Sequence, residues 1–223
     1  MFLKQKSTIC ALISDILLLR GKNMKELVIN GCLKTVRKNF PDYSEEKISE
    51  VKYGLESIYI MITKLLVIAL LACFLNLFKE VVIFLLIYNI IRTFSFGLHA
   101  TKSWICLIAS TIAFILVPFI CKTFTIGIWY KAIMGIITIL LFFKNAPADT
   151  KKRPIVNKKR RLFFKYTSTI IAIIFAFASI LIKDNFVANC FILASVVQCF
   201  MISPAVYKLF GLSYNNYLQY QTI

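Results

Sequence analysis

"VVIFLLIYNIIRTFSFGLHATKSWICLIAS", Val81 to Ser110, holds an apolar run, an interruption and the start of another apolar run. A bilayer hydrocarbon core of about 30 Å needs roughly 20 apolar residues in a helix, and the interruption brings Arg92, His99 and Lys102 close together in the chain. Charge deep in hydrocarbon is costly, so the first run must end at a wet interface or against a polar cavity. The stretch therefore predicts two crossings, Val81 to about Phe96 and Ser103 to Cys121, joined by a turn. His99, the only histidine of the chain, falls on that turn, and Cys106 follows it by seven residues.

In one straight helix, residues seven apart share a face but lie about 10.5 Å apart along the axis. That is too far for a hydrogen bond. A reacting pair requires the chain to bend back, with His99 on the turn and Cys106 in the first turns of the next helix. Gly97 removes the penalty on unusual backbone dihedrals, and Thr101, Lys102 and Ser103 are polar enough for such a turn.

Outward from this stretch, the same length criterion gives six runs. They are Ser57 to Phe78, Val81 to about Phe96, Ser103 to Cys121, Thr125 to Phe143, Leu162 to Ile182, and Phe186 to about Phe210. The 223 residues are 59% hydrophobic with mean hydropathy +0.77, above the roughly one-half apolar share of soluble domains. The fold class is all-α and integral to the membrane: six transmembrane helices preceded by amphipathic interfacial helices. A net charge of +17 would suit nucleic acid, but the basic residues fall in short clusters between spans, not on one recognition face with a motif. No nucleic-acid partner is expected. Anionic membrane lipids are the partner that juxtamembrane Lys and Arg attract.

Charge also orients the chain. Ten Lys or Arg precede Ser57, two lie from Arg92 to Lys102, nine lie in the loop 144–165, and Lys208 lies in the tail; Lys79, Lys122 and Lys183 fall on the other side. Both termini and the His99 turn are thus expected in the cytosol of a cell whose plasma membrane the protein crosses several times. Residues 1–23, with "ICALISDILLL", contain Asp15, run into Arg20 and lack a small-residue cleavage site. They read as a dispensable amino-terminal extension, neither cleaved signal nor span. Residues 24–56 read as cytosolic amphipathic helices, with Val28, Ile29, Cys32, Leu33, Val36 and Phe40 on one face. Phe40-Pro41-Asp42 ends the first, and Asp42 with Glu45 predicts a capping box for the next. Residues 57–223 form the six-span domain, with 144–165 as its basic cytosolic loop.

Cysteine attacks carbonyl carbon as the thiolate, and histidine can take its proton or hold down its pKa as imidazolium. His99 and Cys106 supply these groups. A helix amino terminus at Cys106 would further favour the anion. Arg92 has two open readings, as stabiliser of a developing oxyanion or of the substrate, and as a snorkelling interfacial anchor. Gly97 shapes the backbone. Cys73, Cys121, Cys190 and Cys199 read as small buried hydrophobes. The absence of Cys-x-x-Cys spacing argues against a zinc site or a disulfide framework; no metal or cofactor is expected.

Arg92, Gly97, His99, Ala100 and Cys106 match, in order and spacing, a pattern similar to that of the accessory gene regulator B family (AgrB), membrane cysteine endopeptidases that process quorum-sensing peptide precursors. The departure is Phe96, where the family usually has the first of two glycines. "NAPADTKKRPI", Asn145 to Ile155, resembles the family's Ala-Pro-x-x-Thr motif with its basic residues and Pro, and "YGLE", Tyr53 to Glu56, supports the match.

The resemblance implies that Cys106 attacks a carbonyl near the carboxyl end of a short precursor peptide with His99 as base. It also implies a homodimer. The acyl group would pass to a Cys or Ser within the peptide, closing a thiolactone or lactone. Lys151, Lys152 and Arg153, with Lys158 to Arg161, would serve as the positive-inside signal and lipid contact or would bind the acidic end of the precursor. Glu56 and Asp149, at motif positions, are available to pair with these cations. Two other classes compete: a small transporter or exporter lined by Lys64, Asn89 and Arg92, and a membrane scaffold.

Overall fold

The computed structural model describes residues 22–98, 103–150 and 154–220, without the side chains of 22, 23 and 103–106. The described residues are all-helical and divide into two compact units, up to Phe78 and from Lys79 onward.

In the first unit, α1 (Lys22–Asn39) packs on α2 (Glu45–Phe74). The 3.6-residue period places Ile29 and Leu33 against Ile48, with Val36, Tyr43, Val51 and Leu55 around them. Each fully buried aliphatic side chain here contributes about 1.5–3 kcal/mol. The buried stripe is narrower than expected, for Val28, Cys32 and Phe40 are exposed. Helix α2 is capped by Ser44, whose hydroxyl accepts from the Lys47 N–H at 3.3 Å, and not by Asp42. Glu45 instead holds Arg37 through paired contacts of 2.8 and 2.9 Å. The second half of the expected cytosolic segment, from Glu45, and the first span, as far as Phe74, are thus one continuous helix. It ends where Asn76 adopts φ 54° and the Leu77 N–H reaches Ala72 O at 2.8 Å.

The second unit holds α3 (Phe78–Ser95), α4 (Ser103–Thr123), α5 (Ile128–Asn145), α6 (Lys158–Leu181), α7 (Asn185–Ile202), α8 (Pro204–Leu209) and the 3-10 helix Asn216–Tyr220. Helix α7 packs against α4, α5, α6 and α8, and its Ala188, Ile192, Ala194 and Gln198 are fully buried. Small residues bring α5 and α6 together: a Cβ on Gly135 would stand 3.0 Å from the Ala176 Cβ. Buried hydroxyls on Thr138, Ser179 and Ser195 donate to carbonyls of their own helices. Helix α7 begins at the Asp184 cap, and the Asn189 amide ties it to the end of α4 through Cys121 O and Phe124 O at 3.2 and 2.7 Å. The sixth apolar run does not continue to Phe210 as one helix. Ser203 takes an extended ψ of 130° before Pro204, which supplies no N–H to a continuing ladder.

Among the described residues, four helices are long and apolar enough to cross a membrane: α2, α5, α6 and α7. Helix α3 carries Lys79, Glu80 and Arg92, and the described apolar part of α4 is the shorter Leu107–Thr123. Leu86, Ile136, Leu140 and Phe177 each keep more than three-fifths of their surface exposed. Apolar faces this extensive need hydrocarbon around them, so this is a membrane protein. Cys121, Cys190 and Cys199 are buried as expected, whereas Cys73 is exposed.

Candidate functional site

Helix α3 stops at Ser95, and α4 starts at Ser103, so no single helix joins Arg92 to Cys106. Phe96 and Gly97 leave α3 with φ of 57° and 113°. Both values belong to the region where L side chains are strained and glycine is not, which gives a physical reason for a Gly-Gly pair at these positions. Phe96 carries its strain with its ring edge-on to Phe164 of α6, centroids 4.9 Å apart. Gly97 has no room for a side chain: a Cβ there would lie 2.8 Å from Met201 O and 3.0 Å from Arg92 Nη1.

Backbone groups away from water need partners, and this turn finds them in three separate segments. The Ala148 N–H donates to Ser95 O at 3.1 Å, and the Gly97 N–H donates to Ala148 O at 2.9 Å, forming a parallel bridge between Phe96 and Ala148. The Leu98 N–H donates to Met201 O at 2.9 Å, satisfying a carbonyl that the end of α7 leaves open. Arg92 Nη2 donates to Leu98 O at 2.9 Å.

The Phe96 carbonyl accepts from Gln198 Nε2 at 2.6 Å, and the same nitrogen donates to Ser95 Oγ at 2.6 Å. Gln198 Oε1 accepts from Tyr88 Oη at 2.9 Å, with Arg92 Nη1 at 3.5 Å.

The Ala-Pro-x-x-Thr segment is held from its other side by the carboxyl-terminal chain. Tyr214 donates to Asn145 O at 3.0 Å and Tyr207 to Asp149 O at 3.0 Å. Burial first, then the Asp149 charge, pushes Tyr214 up to about 12, so it remains a donor at neutral pH. The buried Asp149 carboxylate accepts from the Asn216 and Tyr217 N–H groups at 2.9 and 2.8 Å. Asp149 therefore caps the 3-10 helix through backbone donors, and Glu56 pairs with Lys25, a cation outside the basic cluster Lys151–Arg161, at 3.4 Å.

The turn thus gathers Arg92 and Gly97 with the Ala146–Asp149 segment. Arg92 holds the carbonyl of the residue before His99, and Asn89 is exposed; neither observation favours a transport path through them. Cys106 belongs to the first turns of α4, though its side chain, like His99, Lys151, Lys152 and Arg153, lies outside what is described. Lys158 to Arg161 occupy the first turn of α6, where the helix dipole is positive and the turn itself holds no acidic residue. Arg161 lies over the Tyr217 ring at 3.5 Å. Gln198, Tyr88 and Ser95 were not singled out in the sequence. The signal for Gln198 was present, because an amide inside an apolar span is costly without a partner.

Fold and site define an all-helical membrane protein whose interhelical turn is built from two separated motifs. The chain belongs to the accessory gene regulator B family, whose model matches residues 29–202. A putative AgrB-like protein of Clostridium acetobutylicum is 30% identical over 175 residues, 78% of this chain and 84% of that protein. One from Listeria monocytogenes serotype 4a is 32% identical over 177 residues, 79% of this chain and 87% of that one. Accessory gene regulator protein B of Staphylococcus intermedius is 33% identical over 135 residues, 60% and 72% of the two chains. No solved structure matches. Membership ties the chain to accessory gene regulator quorum-sensing processing.

Proposed function

We propose that this protein is a cysteine endopeptidase of the bacterial plasma membrane, with six spans and a cytosolic active site, that cleaves a short precursor peptide and permits its cyclisation. The observation that carries this reading is the hydrogen-bonded segment Phe96–Leu98, which joins two family motifs and immediately precedes His99 in the chain.

In this reading His99 takes the proton of Cys106, and the thiolate attacks a backbone carbonyl near the carboxyl end of the precursor. The tetrahedral intermediate collapses as His99 returns the proton to the leaving amine, which departs with the downstream peptide. An acyl-thioester on Cys106 remains. A thiol or hydroxyl within the retained peptide then attacks that thioester, giving its proton to His99 and releasing the Cys106 thiolate, and the product is a thiolactone or lactone. Thioester exchange is nearly balanced in energy, so exclusion of water is what the site must add. Lys151, Lys152 and Arg153 hold the acidic carboxyl end of the precursor, with the cations at the start of α6 beside them in sequence; four basic residues in a first turn that holds no acidic one support an anionic visitor.

Co-expression with the precursor tests this reading. Cys106→Ala and His99→Ala each abolish release of the carboxyl-terminal fragment, and Cys121→Ala leaves it intact. Normal release by Cys106→Ala sinks the peptidase reading.

A further inference from the structure

We propose that Gln198 is a positioning residue for the Cys106–His99 reaction: its buried side chain sets the backbone of the turn that leads into His99. This inference rests on the peptidase reading above.

A glutamine amide offers two donors and one oxygen with two acceptor sites, and all four are engaged here. Nε2 donates to Phe96 O and Ser95 Oγ, and Oε1 faces Tyr88 Oη and Arg92 Nη1. Chemistry fixes which way the amide points, since the Phe96 carbonyl needs a donor and the guanidinium has donors only. Ser95 is satisfied in both roles, for its hydroxyl also donates to Ile91 O at 2.7 Å.

Gln198 sits one helical turn before the end of α7, whose Met201 O receives the Leu98 N–H. One helix therefore grips the turn twice, by a side chain at Phe96 and by a backbone carbonyl at Leu98. Between these points Phe96 and Gly97 hold positive φ, conformations that persist only when surrounding contacts over-determine them. Gln198 also orients Arg92, which in turn holds Leu98 O. Without the amide, Phe96 O loses its donor and nothing else described replaces it.

Full-length protein in membranes, supplied with precursor peptide, tests the assignment. The readouts are cleavage kinetics and the pH profile of Cys106 alkylation by iodoacetamide, resolved by peptide mass spectrometry. Gln198→Met, similar in shape and without the amide, is expected to lower kcat at least about tenfold with KM little changed, as small misplacements of reacting groups do. It also shifts the alkylation midpoint toward that of the His99→Ala variant. Tyr88→Phe leaves both donors of Gln198 on Phe96 O and Ser95 Oγ in place, so its kcat is expected to stay within about threefold of wild type with an unchanged alkylation profile.

Should Gln198→Met fail to reach the membrane, Gln198→Glu decides: its carboxylate keeps the acceptor contacts but offers Phe96 O no donor, and the same midpoint shift is expected. Wild-type kinetics and an unchanged profile in whichever variant reaches the membrane overturn the proposal. Equal losses in Tyr88→Phe and Gln198→Met with unchanged profiles also overturn it, because they mark a purely structural role. Cys106→Ala run alongside separates the two claims. Activity in that variant refutes the peptidase reading, whereas its inactivity beside normal Gln198 variants refutes only this inference.

Discussion

Phe96 and Gly97 share a positive φ but differ in what surrounds them. A left-handed backbone costs a side-chain-bearing residue roughly 1–2 kcal/mol. An edge-to-face aromatic pair returns about 0.5–1.5 kcal/mol beyond its burial, so the Phe164 contact offsets much of that cost. Phe96→Gly should therefore keep precursor processing within about threefold of wild type in a co-expression assay, since backbone relief and lost packing oppose each other. Gly97→Val meets a backbone carbonyl that cannot turn aside without breaking the Leu98 bond. Its processing should fall at least about a hundredfold, as ångström-scale displacement of a reacting group does. Equal activity of the two variants would contradict this account of the turn. Gly97 was legible in the sequence because glycine in a polar break has few other uses. Gln198 was not, because one amide among apolar neighbours scarcely alters a span's hydropathy and its four partners come from distant positions.

The helices themselves were largely legible, while several of their ends were not. Apolar runs announce helices, but an end is decided by whichever group satisfies the open N–H and C=O groups. Ser44 does so for α2 where Asp42 with Glu45 had the sequence pattern, because Glu45 is drawn to Arg37 from the neighbouring helix. Ser203-Pro204 stops α7 inside an apolar run that hydropathy alone extends to Phe210. Asp149 illustrates the same physics at long range, since its two backbone donors lie on the 3-10 helix near the other end of the chain. Asp149→Ala leaves the Asn216 and Tyr217 N–H groups unpaired, at about 1–3 kcal/mol each. The expected outcome is faster chymotryptic cleavage at Tyr214, Tyr217 and Tyr220 in detergent-solubilised protein, with reduced precursor processing. Unchanged cleavage would show that Tyr207 and Tyr214 hold the carboxyl-terminal segment without Asp149.

At the scale of the whole molecule, many large apolar side chains face outward, and the buried polar residues Ser95, Asn145, Asp149 and Gln198 lie on α3, α7 and the Ala-Pro segment where these meet. That distribution suits a protein whose solvent is hydrocarbon and whose polar chemistry must be satisfied internally. Composition alone made the membrane class legible. The joining of the two motifs was not, since a parallel bridge between Phe96 and Ala148 leaves no periodic trace in either segment. The central claim is that Cys106 carries the acyl group of the precursor. It is tested most directly by rapid acid quench of the full-length protein with precursor, followed by mass spectrometry of the Cys106 peptide. The account predicts an adduct with the mass of the retained peptide fragment, removed by neutral hydroxylamine and missing from Cys106→Ala. Release of the carboxyl-terminal fragment with no adduct on Cys106, and at an undiminished rate in Cys106→Ala, would contradict it.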